Sequence, residues 1–132
     1  MIVGIGTDVV DIERIKQIFI KYRQRFLSHI LSPEELEIFP SIPERQHAYY
    51  LAKRFAAKEA FSKALGTGFQ KGLALSDISI LNTDLGKPYV KLSKKAWTLV
   101  EKLTGQKNSV NVHVSLSDEH HIAAAFIVIE AL

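Results

Sequence analysis

The stretch RFAAKEAFSKALGTG, residues 54–68, constrains this chain more than any other part of it. Alanines at 56, 57, 60 and 64 surround Glu59 and Lys63, which lie four residues apart and therefore share one face of a helix. Side chains this small let another chain, or a ligand, come close to the helix backbone while the carboxylate and the ammonium project into restricted space. A solvated ion pair worth about 0.2–0.5 kcal/mol accounts for Glu59 and Lys63 taken alone. A site that uses both charges is the second reading, and the rest of the chain bears on the choice.

The chain opens with MIVGIGTDVVDIERI, read as a short apolar strand over residues 2–5 that delivers Asp8 from a glycine-flanked turn. Gly4 and Gly6 are no dinucleotide fingerprint, because position 9 is Val and no third glycine opens a helix. Asp11 is the expected N-cap of a helix whose apolar positions are Ile12, Ile15, Ile18, Phe19 and Tyr22. Arg14, Lys16, Lys21, Arg23 and Arg25 then share its outer side. Ser32-Pro33-Glu34-Glu35 supplies an N-cap, a proline at the first helical position and a capping-box glutamate, so a short helix runs to Phe39 and ends at Pro40. A long helix follows, from Pro43 or Glu44 to Gly66, with Glu59 and Lys63 in its last two turns.

Residues 78–81 and 89–92 read as strands of a hairpin closed by Thr83-Asp84-Leu85-Gly86. Ser93 caps a helix carrying Trp97, Val100 and Leu103 and stopped by Gly105. From Val110 the alternation is strict: Val110, Val112, Val114 and Leu116 face one way, Asn111, His113, Ser115 and Ser117 the other. Residues 122–129 are nearly all apolar and predict a buried strand. With no repeat and no low-complexity linker, the pattern is one α+β domain over residues 1–132, with a mostly antiparallel sheet and a long central helix.

A hydrophobic content of 47% suffices for a core in a chain of 132 residues. No secretory signal and no run of about 18 apolar residues is found, so a soluble, unprocessed, cytoplasmic protein is expected. The absence of cysteine rules out disulfides, a thiolate nucleophile and Cys-ligated zinc; any metal must use oxygen or imidazole ligands. Seventeen Lys and Arg against fourteen Asp and Glu leave +3, and its placement on the Arg14 to Arg25 stretch matters more than its size. Such a face draws acidic proteins or polyanions, or is simply a solvated helix side.

The two blocks GIGTD and KEAFSKA together resemble the holo-acyl-carrier-protein synthase family of 4′-phosphopantetheinyl transferases, and the likeness extends from residue 1 to about residue 129. The resemblance implies transfer of the 4′-phosphopantetheine arm from coenzyme A to a serine of apo acyl carrier protein, in fatty acid biosynthesis. It implies that Asp8 and Glu59 bind magnesium and that Lys63 contacts the coenzyme phosphates, with Asp8, Glu59 and Lys63 as the catalytic set. Two carboxylates with water and phosphate oxygens suit Mg²⁺. Glu59, or a metal-bound water it orients, would accept the serine proton.

Arg54 and Lys58 are further candidates for the anion site, each equally readable as a solvated charge. Gly66 and Thr67 match the family's turn beside the coenzyme; Gly86-Lys87-Pro88 matches a segment lining its site, and His113 a position near the nucleotide. Arg14, Lys21 and Arg25 are the expected docking residues for the carrier. The family also implies a homotrimer with active sites between subunits. One departure stands out: many relatives carry a further histidine after the VS block, where this chain has Asp118.

Two other functions compete. A nucleic-acid-binding domain would use the basic face, but Phe19, Tyr22 and Phe26 are spaced as core positions, not as a stacking platform. A coenzyme A-dependent acyltransferase would keep the coenzyme and dispense with magnesium.

Overall fold

The fold, seen in a computed structural model that describes residues 1–70, 72–105 and 109–132, is organised around one long helix laid across a sheet. In chain order the elements are β1 (Ile2–Asp11), α1 (Ile12–Tyr22), α2 (Gln24–Ile30), α3 (Pro33–Ile38), α4 (His47–Leu65), β2 (Ile78–Asn82), β3 (Pro88–Leu92), α5 (Lys94–Thr104), β4 (Val110–Glu119) and β5 (Ile122–Ala131). One antiparallel sheet has the order β1-β5-β4, and β2 and β3 form a separate hairpin. The α+β architecture with antiparallel sheets and a long helix is as the sequence predicts. No helix among the described residues is long and apolar enough to cross a membrane.

Several local signals act as expected. Asp11 caps α1 by accepting the Glu13 N–H, and Ser32 and Glu35 form a reciprocal capping box on α3. Gly66 and Gly105 end α4 and α5 in the left-handed conformation, and Ser93 caps α5. The long helix is shorter than predicted, because residues Glu44–Gln46 form a 3-10 turn before it.

Two readings need correction. The first strand does not stop at residue 5. It runs to Asp11, paired residue by residue with β5 from Gly4 onward after a register shift at Ile2/Gly4, so Asp8 sits inside a strand opposite Ala125. Its glycines make no turn; they allow close approach to α4. A Cβ built on Gly6 would stand 1.8 Å from the Ala60 carbonyl oxygen, and one on Gly4 2.2 Å from that of Ala64. The alanines of α4 therefore admit this chain's own first strand.

The second correction concerns β5. Its apolar run is not buried as a whole: Ala123, Ala125, Ile127 and Ile129 pack toward α4, whereas Ile122 and Phe126 remain about half exposed on the other face. Ile5 and Val9 of β1 join them there. The sheet is covered on one side only.

Candidate active site

α4 is buried on nearly every side, with Leu51, Ala52, Ala56, Ala57, Ala60 and Phe61 fully out of solvent. Its C-terminal turns emerge beside β1 and carry Glu59 and Lys63. On β1, residues alternate across the sheet, and Asp8 shares with Gly6 and Val10 the face turned to the helix. The two sequence blocks thus meet. Lys63 Nζ donates to Asp8 Oδ1 and to the Thr7 carbonyl, each at 3.0 Å. Lys63 is paired with Asp8 across the strand and helix, not with Glu59 along its own helix.

Glu59 is half-buried. Burial pushes its carboxyl above the usual carboxylate range, the Asp8 charge raises it further, and Lys63 and Arg14 partly offset the rise. Two carboxylates crowded together beside permanent cations form a hard-oxygen donor set that a divalent cation would relieve. Arg14, on the exposed side of α1, is close enough for its charge to act on Glu59.

Lys58 is not part of this group. It is fully buried, and its ammonium donates to Glu35 Oε1 and to the Ile30 carbonyl. The expectation that it presents charge to a bound anion is corrected: at one residue from Glu59, the helix turns it through about 100° into the interior. Arg54 is likewise buried, with Nη2 donating to Asn82 Oδ1 at 2.6 Å and its guanidinium 4.0 Å from the Tyr50 ring centre. Asn82 in turn donates to the Gly86 carbonyl. Arg54 thereby braces the hairpin turn that carries Lys87 and Pro88.

Gly66 and Thr67 follow directly on the Lys63 turn; the Gly66 N–H donates to the Lys63 carbonyl. Lys87, exposed, closes the β2–β3 turn with its backbone onto Thr83. That hairpin lies against β4, at the opposite side of the sheet from β1. His113 lies on the other face of the sheet. It projects from the uncovered face of β4, with Nε2 3.0 Å from Glu130 Oε1, whose carboxyl this contact holds below the usual range. Within one chain, the sheet separates His113 from Asp8 and Glu59. Asp118 is 3.2 Å from the Lys53 ammonium.

The basic stretch is split between two helices. Arg14 and Lys21 belong to α1, Arg25 to α2, and Arg23 joins them with a positive φ of 47°. Tyr22, expected on the core face, is exposed, with Lys21 and Arg25 at 5.2 and 5.8 Å from its ring centre. A cavity of about 710 Å³ opens here between Ile18, Tyr22, Arg25, Phe26 and His29. The residue that sequence reasoning missed is Glu35 as a long-range partner; only its local cap was legible.

The profile of the 4′-phosphopantetheinyl transferase superfamily matches residues 4–125, and this chain belongs to that superfamily. Within it the chain is one of the holo-[acyl-carrier-protein] synthases. It is 48% identical over 132 residues to the holo-[acyl-carrier-protein] synthase of Zymomonas mobilis, covering 99% of this chain and 98% of the relative. The Bartonella bacilliformis synthase is 44% identical over all of this chain and 98% of its own. Among solved structures, the Neisseria meningitidis synthase superposes with a TM-score of 0.86 at 42% identity, covering 98% of this chain and 99% of that one. A Bacillus anthracis synthase in complex with CoA (3′,5′-ADP) gives 0.81 at 34% identity, covering 100% and 99%.

Proposed function

We propose that this chain transfers the 4′-phosphopantetheine arm of coenzyme A to a serine hydroxyl of an apo acyl carrier protein, releasing adenosine 3′,5′-bisphosphate. The observation that carries the reading is the meeting of Asp8, Glu59 and Lys63 between β1 and α4. Relatives crystallised with coenzyme A support the substrate. The reaction serves fatty acid biosynthesis in the cytoplasm, and residues 1–132 act as one transferase domain.

The serine oxygen attacks the phosphorus that bears the pantetheine arm, and the bond from that phosphorus to the bridging oxygen breaks. Such chemistry needs positioning and charge stabilisation, not an enzyme nucleophile. Asp8 and Glu59 would hold Mg²⁺, which fits their crowded oxygens and supplies charge neutralisation for the pyrophosphate when bound. Lys63, more than half exposed along its side chain, adds a mobile positive charge for the phosphates. Glu59, whose carboxyl burial and the Asp8 charge hold above the usual carboxylate range, takes up the serine proton directly or through a water it orients. Gly66 and Thr67 flank the coenzyme beside Lys63.

Lys87, Pro88 and His113 serve the coenzyme site of another copy. Support comes from the location of His113: the uncovered sheet face carries it together with Ile5, Val9, Ile122 and Phe126, exposed by 58, 63, 50 and 45%. An apolar patch of this kind on a sheet marks a protein contact. A homotrimer whose active sites lie between subunits joins the two half-sites. The carrier docks on Arg14, Lys21 and Arg25, beside the apolar cavity at Tyr22 and Phe26.

Incubating the protein with coenzyme A, Mg²⁺ and an apo acyl carrier protein and weighing the carrier by mass spectrometry tests the reading. A gain equal to one phosphopantetheine arm is expected, and it should vanish on chelation of the metal. An unmodified carrier overturns the proposal.

A further inference from the structure

Lys58 and Glu35 are both completely removed from solvent, each with a side-chain exposure of 0%. A buried ion pair of this kind rarely adds net stability, since an apolar pair of the same shape commonly does as well or better. Its geometry suggests another use. The Lys58 ammonium donates to Glu35 Oε1 and to the Ile30 carbonyl at the end of α2. Glu35 Oε1 also accepts the Ser32 N–H at 2.9 Å, and Oε2 accepts the Ile80 N–H of β2 at 2.9 Å. Ser79 closes the cluster by donating to Ser32 Oγ at 2.6 Å. The ion pair therefore ties α4 to α2 through the ammonium, and to α3 and β2 through the carboxylate.

The opposite side of α4 is fixed by different means. Ala60 and Ala64, which take the close backbone approach of Gly6 and Gly4, lie about 200° and 240° round the helix from Lys58. Glu59 and Lys63 fall between these two attachments, at about 100° and 140°. Along the turns that carry Glu59 and Lys63, from Ala56 to Ala64, the buried residues besides Lys58 are Ala56, Ala57, Ala60, Phe61, Ser62 and Ala64, so large apolar side chains that would set the rotation are few there. Contact with β1 alone limits how near α4 comes, whereas the Lys58 bond limits how far it can turn.

We infer that the Lys58–Glu35 pair is a positioning device, which sets the rotation of α4 against β1 and thereby the approach of the Glu59 carboxylate to Asp8. Lys58 and Glu35 touch neither substrate nor metal. The inference rests on the reading of Asp8 and Glu59 as the cation site.

The double variant Lys58→Met/Glu35→Gln removes both charges and keeps an oxygen at position 35 for the α3 cap. Mn²⁺ binding, followed by electron paramagnetic resonance, is measured with kcat, the KM for coenzyme A and the melting temperature. Loss of a positioning pair should weaken Mn²⁺ binding and lower kcat by roughly tenfold or more, the effect of disturbing the partners that orient a metal ligand. The melt should stay cooperative, and the KM for coenzyme A should change less than the Mn²⁺ affinity.

A folded double variant with wild-type Mn²⁺ affinity and kcat overturns the inference, whatever its melting temperature. Glu35→Gln alone is read by the same criteria if the double variant does not fold. Asp8→Asn, measured alongside, must lose Mn²⁺ binding; if it does not, the cation site itself is misassigned, and the inference falls for that separate reason.

Discussion

Gly6 of β1 and Ala60 of α4 are in backbone contact, so close that a methyl on Gly6 would come within 1.8 Å of the Ala60 carbonyl oxygen and 2.8 Å of the Ala64 nitrogen. Neither obstacle is a side chain that can swing away. Two residues farther along the same strand, Asp8 faces the same helix. The contact that packs the core also determines where the first carboxylate meets the second.

Gly6→Ala is therefore expected to push α4 from β1, at the upper end of the about 1–3 kcal/mol that overpacking costs. The melting midpoint should fall by roughly 10 °C, and activity should fall further than the folded fraction does, because Asp8 and Glu59 separate. Thermal unfolding and turnover per folded molecule check both parts.

How much of this was legible beforehand depends on the range of each interaction. Caps at Asp11, Ser32 and Ser93 and the stops at Gly66 and Gly105 are local, and the sequence patterns that announce them are met in the structure. Gly4 and Gly6 suggest a turn in the sequence because glycine permits both a turn and a close approach, and only the partner element distinguishes the two. Lys58 and Glu59 are adjacent charges with nothing local to say which one is buried. The answer lies in Glu35, which is 23 residues away. Apolar content predicted a fully buried β5, but it cannot reveal that one face of a sheet is left uncovered by its own chain.

Lys63→Ala should have opposite effects on two ligands. Removing an ammonium that sits 3.0 Å from Asp8 takes away a competing cation, so Mg²⁺ binding without coenzyme strengthens. Loss of the same charge from the phosphates weakens coenzyme A or lowers kcat by roughly ten- to a hundredfold. Calorimetric titration of each ligand and steady-state kinetics check this. Unchanged values for both would leave Lys63 a simple surface partner of Asp8.

Glu59 makes stability depend on pH in a definite direction. Burial and the Asp8 charge raise its folded pKa above the unfolded value, so its contribution is full below the ordinary carboxylate range and is lost as pH rises through the raised value. Between about pH 4 and pH 7, wild type should lose stability relative to Glu59→Gln, which has no such proton. Millimolar Mg²⁺ at neutral pH should recover the loss in wild type only. Melting curves of the two proteins across this range, with and without the metal, give the comparison. A parallel pH course in both would mean that burial and Asp8 do not raise the Glu59 carboxyl.

Arg14→Glu should raise the KM for the carrier, with the effect largest at low salt, while coenzyme A binding stays near wild type. The Arg14 charge also lowers the Glu59 pKa. Its reversal should therefore move the acid limb of the rate profile to higher pH. Kinetics at two ionic strengths and a pH profile test these together. A carrier KM that does not move would make the basic surface of α1 a solvated face.

The uncovered sheet face allows the sharing of one active site between two chains to be tested without a structure of the assembly. Asp8 and His113 lie on opposite faces of the β1-β5-β4 sheet, so a site that uses both must draw them from different copies. Asp8→Ala and His113→Ala should each be nearly inactive alone. If the chain assembles as proposed, the two variants unfolded and refolded together should give rings in which some interfaces take Asp8 from one variant and His113 from the other. If the chains associate head to tail at random in equal amounts, about one interface in four is intact, and about a quarter of wild-type turnover should return. Recovery should need co-refolding, since assembled rings simply poured together contain only defective interfaces until they exchange subunits. Turnover no greater than the sum of the two variants would mean that each chain works alone, and that His113 serves only its contact with Glu130.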